Sequence, residues 1–243
     1  MDKTILSGAN DCWCPDKSHV KGVSDMTERF IRNHQFNFIK KQSDHVQRAH
    51  HTVSDPKVLQ AVIFQSEAKI MELFPELNED QRKVLEPITT CKSAQDFSDY
   101  LQKVCEHTID FPAISEAQIK RLFPKNKKLK LPNLSAMDVS KLTYLGWLDI
   151  ATNKIYYVYQ DQGKFVGVEG KFTPGSKKNL CSFCHGYEEV ALVSAISKAK
   201  SSISPDYYKA VGNYMCVDTH QCNKQITDVS NLEGFIARVL AKE

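Results

Sequence analysis

Two pairs of cysteines set the terms for the C-terminal half of this chain. Cys181-Ser182-Phe183-Cys184 is a C-x-x-C, and Cys216 and Cys222 form a second pair with five residues between them. The pairs are separated by 31 residues, room for a hairpin and a loop. A tight turn presents two sulfurs to one ion, and two such pairs complete the tetrahedron that Zn²⁺ prefers. A redox reading of the C-x-x-C needs a thioredoxin-like βαβ context, which the flanking sequence lacks. His185 and His220 lie beside the cysteines. His220, separated from Cys216 by three residues, competes for one ligand position. Four thiolates close the shell, whereas a catalytic zinc keeps a position open for water. The expectation is one structural Zn²⁺.

The other cysteines read differently. Cys91 and Cys105 stand alone in helix-like sequence and read as small buried apolar residues. Cys12 and Cys14 flank Trp13 in a stretch without periodicity, and one C-x-C cannot close a tetrahedral site. Residues 1–25 read as a disordered tail. Met1 to Asn10 lack the basic segment and apolar core of a secretory signal.

Residues 26–124 read as an antiparallel helical bundle. Phe30, Ile31, His34 and Phe38 share one face of the first segment. Asp55 as N-cap, with Pro56 at the first helical position, opens the second. Leu59, Val62, Ile63, Ile70, Leu73 and Phe74 recur there at helical spacing until Pro75. A shorter segment runs from about Glu79 to Leu85, ahead of Pro87. Phe97, Leu101, Val104, Cys105 and Thr108 form the next stripe. Ser115 with Gln118 is a capping-box pattern for a last short helix that Pro124 closes.

Residues 125–140 read as a basic linker, with Lys125, Lys127, Lys128 and Lys130 at its start. Such a stretch suits RNA or an acidic protein face; its plainer reading is a solvated connector. Residues 141–243 turn β-rich. Ile155 to Tyr159 suit a pleated, half-buried surface. Asp161-Gln162-Gly163 is a turn, and Phe165, Val166 and Val168 resume the strand pattern. Thr173-Pro174-Gly175-Ser176 reads as the next loop and Glu189 to Ile196 as a further strand. Leu232, Phe235, Ile236, Val239 and Leu240 line a final helix, with Ser230 and Glu233 as its capping box. The fold class is α+β: an N-terminal helical bundle, then a β-rich domain built on a four-cysteine zinc site.

Several functions find no support. Hydrophobic residues make up 42% and charged residues 25%, ordinary for a soluble globular protein. No apolar run approaches the roughly 20 residues of a membrane helix, so a cytoplasmic location is expected. The formal net charge of +3 is too small to argue by itself for nucleic acid. No Walker loop, G-x-S-x-G, dinucleotide fingerprint or H-E-x-x-H occurs, so nothing points to an enzyme. The excursion between the cysteine pairs carries Lys198, Lys200, Tyr207, Tyr208 and Lys209. Tyrosine and basic residues on a metal-anchored loop suit a protein interface. Phe183 either joins that surface on the knuckle or packs beneath it. The alternative is an RNA- or DNA-binding zinc module, with Lys177, Lys178, Lys198, Lys200 and the linker lysines on phosphates and tyrosines stacked on bases.

Several stretches resemble the FusB-type family of fusidic acid resistance proteins, which bind elongation factor G. The resemblance begins at His34-Gln35-Phe36-Asn37-Phe38-Ile39 and runs through the lysine-rich linker and Gly146-Trp147-Leu148-Asp149-Ile150-Ala151-Thr152-Asn153-Lys154-Ile155-Tyr156-Tyr157. It is most specific in Cys181-Ser182-Phe183-Cys184, in Tyr214-Met215-Cys216, and in Cys222-Asn223-Lys224-Gln225-Ile226-Thr227-Asp228. The family's histidine just before the last cysteine is Gln221 here, with His220 displaced by one, which favours four sulfurs. The resemblance implies a helical N-terminal domain and a treble-clef-like zinc domain that grips elongation factor G. It also implies release of the factor from ribosomes, including complexes stalled by fusidic acid. Tyr208 matches a tyrosine of the family and is the implied contact. A monomer is expected.

Overall fold

Seven α-helices and a five-stranded antiparallel sheet make up the described residues of the computed structural model, 28–198 and 209–241. The chain divides into two units. Among the described residues, those up to Ile31 and Ile39–Thr108 form the first; Arg32–Phe38 and those from Ile109 onward form the second.

The first unit is helical. It holds most of α1 (Asn33–Thr52), then α2 (Pro56–Glu72), α3 (Glu79–Leu85) and α4 (Ala94–Glu106). Each start from α2 on is fixed by a nearby side chain. Asp55 accepts from the Lys57 N–H with Pro56 in the first turn. Asn78 with Gln81, and Ser93 with Asp96, form reciprocal capping boxes. Ile39, Val46, Ile70, Leu85, Ile88, Phe97, Leu101 and Val104 are buried in the core. Cys91 and Cys105 are buried too, and burial pushes the Cys91 thiol up to about 11.

The second unit is a meander of β1 (Leu145–Asp149), β2 (Lys154–Asp161), β3 (Lys164–Leu180), β4 (Tyr187–Ile196) and β5 (Ala210–Cys216), each strand beside the next. Gln162 and Gly163 turn β2 into β3 with φ of 47° and 79°, the left-handed pair that matches strand twist in a two-residue hairpin. Thr173 to Ser176 form no loop. β3 runs through them with a register shift between Pro174 and Lys178. A bulge absorbs a proline that has no N–H to give the ladder, so the turn-like composition stays inside a strand.

Strand alternation gives the sheet two covered faces. On β2, Tyr156 and Val158 join one core, while Ile155, Tyr157 and Tyr159 join the other. The first of these cores receives α5 (Glu116–Leu122). Its Ile119 and the following Phe123 pack with Phe111, Trp147 and Tyr156. Phe123 meets Trp147 and Tyr156 edge-on, and the latter two stack. Helical periodicity identified α5 correctly but not its partner. Its apolar side is completed by the sheet, so it belongs to the second unit rather than the bundle. The segment read as a linker also lies on this core, through Leu129, Leu131, Leu134 and Met137.

The opposite face is covered by α6 (Thr219–Gln225) and α7 (Ser230–Leu240). α7 does not begin with a Ser230–Glu233 capping box. Ser230 is its first residue, and Asp228 Oδ1 accepts from both its N–H (3.0 Å) and its hydroxyl (2.7 Å). Glu233 is thereby free for another role and accepts from the Tyr159 hydroxyl at 2.6 Å. No helix among the described residues is long and apolar enough to cross a membrane.

Candidate metal centre

Leu180 ends β3, and the chain then doubles back through Cys181 to Gly186 into β4. The Cys181 N–H donates to the Gly186 carbonyl and the His185 N–H to the Cys181 carbonyl, both at 2.9 Å. His185 takes the left-handed conformation, φ 57°, that such a tight reversal needs. A Cβ on Gly186 would lie 1.8 Å from Gln225 Oε1, so any larger residue there has to displace the Gln225 side chain. The turn aims amide N–H groups at sulfur. Phe183 and Gly186 donate to Cys181 and Cys184 at 3.4 Å, and Cys216 donates to Cys181 at 3.3 Å.

The second pair arrives from two further elements. Cys216 closes β5 and Cys222 lies on α6, whose N-cap Asp218 accepts from the His220 and Gln221 N–H groups. Sγ of Cys181 and Cys222 lie 3.8 Å apart, and those of Cys184 and Cys216 3.7 Å apart. All four sulfurs fall within 4.8 Å of one another and all four residues are buried. A zinc–sulfur bond of about 2.3 Å in a regular tetrahedron sets sulfurs about 3.8 Å apart. The donor set therefore fits the ion in identity, number and spacing, and it holds one structural Zn²⁺.

Electrostatics point the same way. Hydrogen bonds from the Cys184, Cys216 and Cys222 thiols drive Cys181 strongly down. The negative sulfur this leaves drives Cys216 and Cys222 up, each through its bond to Cys181 first. Four thiolates cannot share this pocket by themselves, and a divalent cation removes the conflict. Tyr144 and Tyr157 below the site are held far above the usual phenol range, first by burial. They stay neutral and add no further negative charge.

The other expected site residues are distributed differently. His220 is exposed and outside the sulfur cluster. His185 is exposed and its ring Nε2 meets Asn231 Nδ2 at 3.0 Å. Phe183, expected among partner contacts, is only 1% exposed and packs edge-on against Tyr144, Tyr157 and Phe235. It is a floor for the knuckle and cannot touch a partner. Lys198 is exposed just after β4, its N–H bonded to the Val239 carbonyl at 2.7 Å. Lys200, Tyr207 and Tyr208 lie outside the described residues.

Two features were missed from sequence. Asn223, beside ligand Cys222, is 1% exposed. Its Oδ1 accepts from the Thr143 and Tyr144 N–H groups at 2.7 and 3.2 Å. Its Nδ2 donates to the Tyr144 and Thr219 carbonyls at 3.0 and 2.9 Å. Its own carbonyl receives the Asn33 and Asn37 amides. Nothing in the local pattern distinguishes it from a surface asparagine of a short helix. The second feature is a pair of exposed cross-strand contacts, Leu192 opposite Tyr214 and Leu180 opposite Tyr187. The alternation of Val211 and Met215 with Tyr214 is the signal that identifies the outward tyrosine.

A turn that supplies two sulfurs, followed by strands and a short helix that supply two more, defines a structural zinc module set on a sheet. Comparison with known proteins identifies the particular family. Residues 30–112 match the family described as elongation factor G-binding protein, N-terminal, and residues 120–238 match the FBP C-terminal treble-clef zinc-finger. A solved structure of the fusidic acid resistance protein FusC is similar, with a TM-score of 0.74 at 25% identity, covering 89% of this chain and 100% of that one. No curated protein matches in sequence. The chain belongs to the FusB-type family, the elongation factor G-binding proteins with a C-terminal treble-clef zinc finger.

Proposed function

We propose that this protein binds elongation factor G, promotes its release from the ribosome and so protects translation from fusidic acid. The observation that carries the reading is the family match over both halves, 30–112 and 120–238, together with the likeness to FusC over the whole of that chain. The protein acts by binding alone, in the cytoplasm and as a monomer, with no chemistry on the drug. Binding suffices if the protein prefers a conformation of the factor that holds the ribosome less tightly, since a ligand shifts an equilibrium by its differential affinity. A preference of about 1.4 kcal/mol already changes occupancy tenfold.

The zinc module's sheet offers the contact. Tyr187 and Tyr214 are 66% and 47% exposed, each paired across strands with an exposed leucine. Aromatic side chains on a rigid base lose little freedom on binding and are frequent interface anchors. Purified elongation factor G is expected to be retained by the immobilised full chain. Tyr214→Ala combined with Leu192→Ala should weaken retention while zinc content is unchanged. The wild-type chain should restore translation in a fusidic acid-inhibited extract and leave the drug unaltered by mass spectrometry. Absence of retention, or a modified drug, would overturn the reading.

A further inference from the structure

The segment Lys125–Lys130 is a built surface. Its inner side is fastened to the sheet. The Trp147 indole N–H donates to the Lys130 carbonyl at 2.9 Å, and Leu129 and Leu131 pack against the Trp147–Tyr156 core. Lys154 Nζ donates to Asn126 Oδ1 at 2.9 Å, while the Asn126 amide donates to Glu169. Backbone turns close from Asn126 to Phe123 and from Leu129 to Asn126. With the apolar and amide side chains turned inward, Lys125, Lys127, Lys128 and Lys130 are all exposed. Ion pairs elsewhere neutralise Lys83, Lys120, Lys141, Lys154 and Lys178, but none involves these four among the described residues.

Four of the six residues from Lys125 to Lys130 are lysine. Four positive charges are thus gathered within six residues of one ordered loop, with no acidic residue among them.

We propose that this loop is a docking site for the phosphate backbone of duplex RNA. Two observations select that occupant over an acidic protein face. Protein interfaces are enriched in aromatic residues and arginine and depleted of lysine. Here the exposed positions are lysines, and the nearby Trp147 is buried. Lysine meets phosphate as a point charge without a directional fork. The absence of an exposed aromatic in the loop also removes the stacking platform that single strands use. The ribosome, where the proposed partner works, is where such RNA is met; the RNA contact itself does not depend on that reading.

The test is fluorescence anisotropy of a labelled RNA duplex of about 20 base pairs, titrated with the zinc-loaded full chain between about 50 and 200 mM salt. Four phosphate contacts predict that affinity falls roughly 10²-fold over that range. Changing Lys125, Lys127, Lys128 and Lys130 together to Gln should abolish most binding and cut the salt slope by about three to four. Changing the same four to Arg should retain it. A control with Lys41, Lys57, Lys69 and Lys92 changed to Gln removes equal charge from exposed sites on the helical unit. Equal loss in that control would overturn the site, since diffuse charge would then explain binding. Full RNA affinity in the loop variant would overturn it as well, and loss of elongation factor G retention in that variant would assign the lysines to a protein face. Retention of the factor is read separately with each variant, so a failure of the RNA contact and a failure of the proposed partner are told apart.

Discussion

In the helical unit, helix starts are closed by neighbours in sequence: Asp55 with Lys57, Asn78 with Gln81. In the sheet unit, the decisive contacts span the chain. Cys181 meets Cys222 across 41 positions, and Asn33 meets the Asn223 carbonyl across 190. Local devices stabilise one element each and fail one at a time. Long-range devices fix several elements at once, so their loss is cooperative. The zinc ligands come from the knuckle, β5 and α6, and Asn223 ties α6 to the segment entering β1. The same residues therefore close the metal site and complete the packing around Phe183.

Metal removal should separate the units most sharply. Structural zinc is worth about 10–16 kcal/mol in small zinc domains, as much as a typical domain's whole stability. Cys222→Ser, or chelation, should unfold the sheet unit and leave Ile39–Thr108 helical. Hydrogen exchange provides the finer readout. α1 is one helix, yet its Asn33 and Asn37 side chains bond to the Asn223 and Ile226 carbonyls. Exchange protection in Arg32–Phe38 should be lost with the metal while protection beyond Ile39 persists. Uniform behaviour along α1 would break the comparison.

Asn223→Ala is the next largest effect. It leaves two N–H groups and two carbonyls without their partner in a buried site, each worth about 1–3 kcal/mol. A loss of about 4 kcal/mol is expected in denaturant unfolding of the sheet unit, with the four sulfurs still binding zinc. Asn223→Asp keeps the acceptor for the two N–H groups but sets a second carboxyl oxygen against the two carbonyls, so it should not recover the loss. Loss of the metal itself in either variant would mean that the ligand set, and not the scaffold, depends on this residue.

These long-range features explain what was legible and what was not. Capping at Asp55 and Ser115, and the Gln162-Gly163 turn, are written within four residues, and the structure follows them. The four sulfurs were legible because zinc fixes both residue type and spacing. The placement of α5 was not, because Ile119 and Phe123 show an apolar face without naming what covers it. Phe183 could be read as exposed or buried for a similar reason: its neighbours Tyr144 and Phe235 are far away in sequence. The turn-like Thr173-Pro174-Gly175-Ser176 misled because a bulge and a loop use the same residues.

Acid should weaken the sheet unit through His34. Burial, and then the charge of Arg32, lowers this imidazole from 6.5 to about 4, against the opposing pull of Asp228. The folded state therefore holds His34 neutral while the unfolded chain accepts a proton. Its contribution is complete above pH 6.5 and is lost as pH falls towards 4, a change of about 3 kcal/mol at most. Denaturant midpoints measured through that window should fall more steeply for the wild type than for His34→Gln. Parallel curves would place the proton elsewhere.

The smallest effects test whether local devices carry local energies even inside the metal-bound unit. Ser115 lies in the sheet unit, but its capping box with Gln118 is closed within three residues. Ser115→Ala should cost about 1 kcal/mol, the usual value for a cap, with no change in zinc content. Ser230 provides the contrast. It has the sequence signature of a cap but is the first helical residue, and its hydroxyl donates to Asp228 Oδ1 and accepts nothing from the helix. Asp228 supplies the acceptor that the Ser230 N–H needs, and that bond is the first cause of its lowered pKa. Ser230→Ala should therefore shift stability by only a few tenths of a kcal/mol, within the range of ordinary surface changes. Asp228→Ala, which removes the acceptor, should cost about 1 kcal/mol. Thermal or denaturant unfolding of the two single variants decides the assignment: equal losses would restore Ser230 to the capping role.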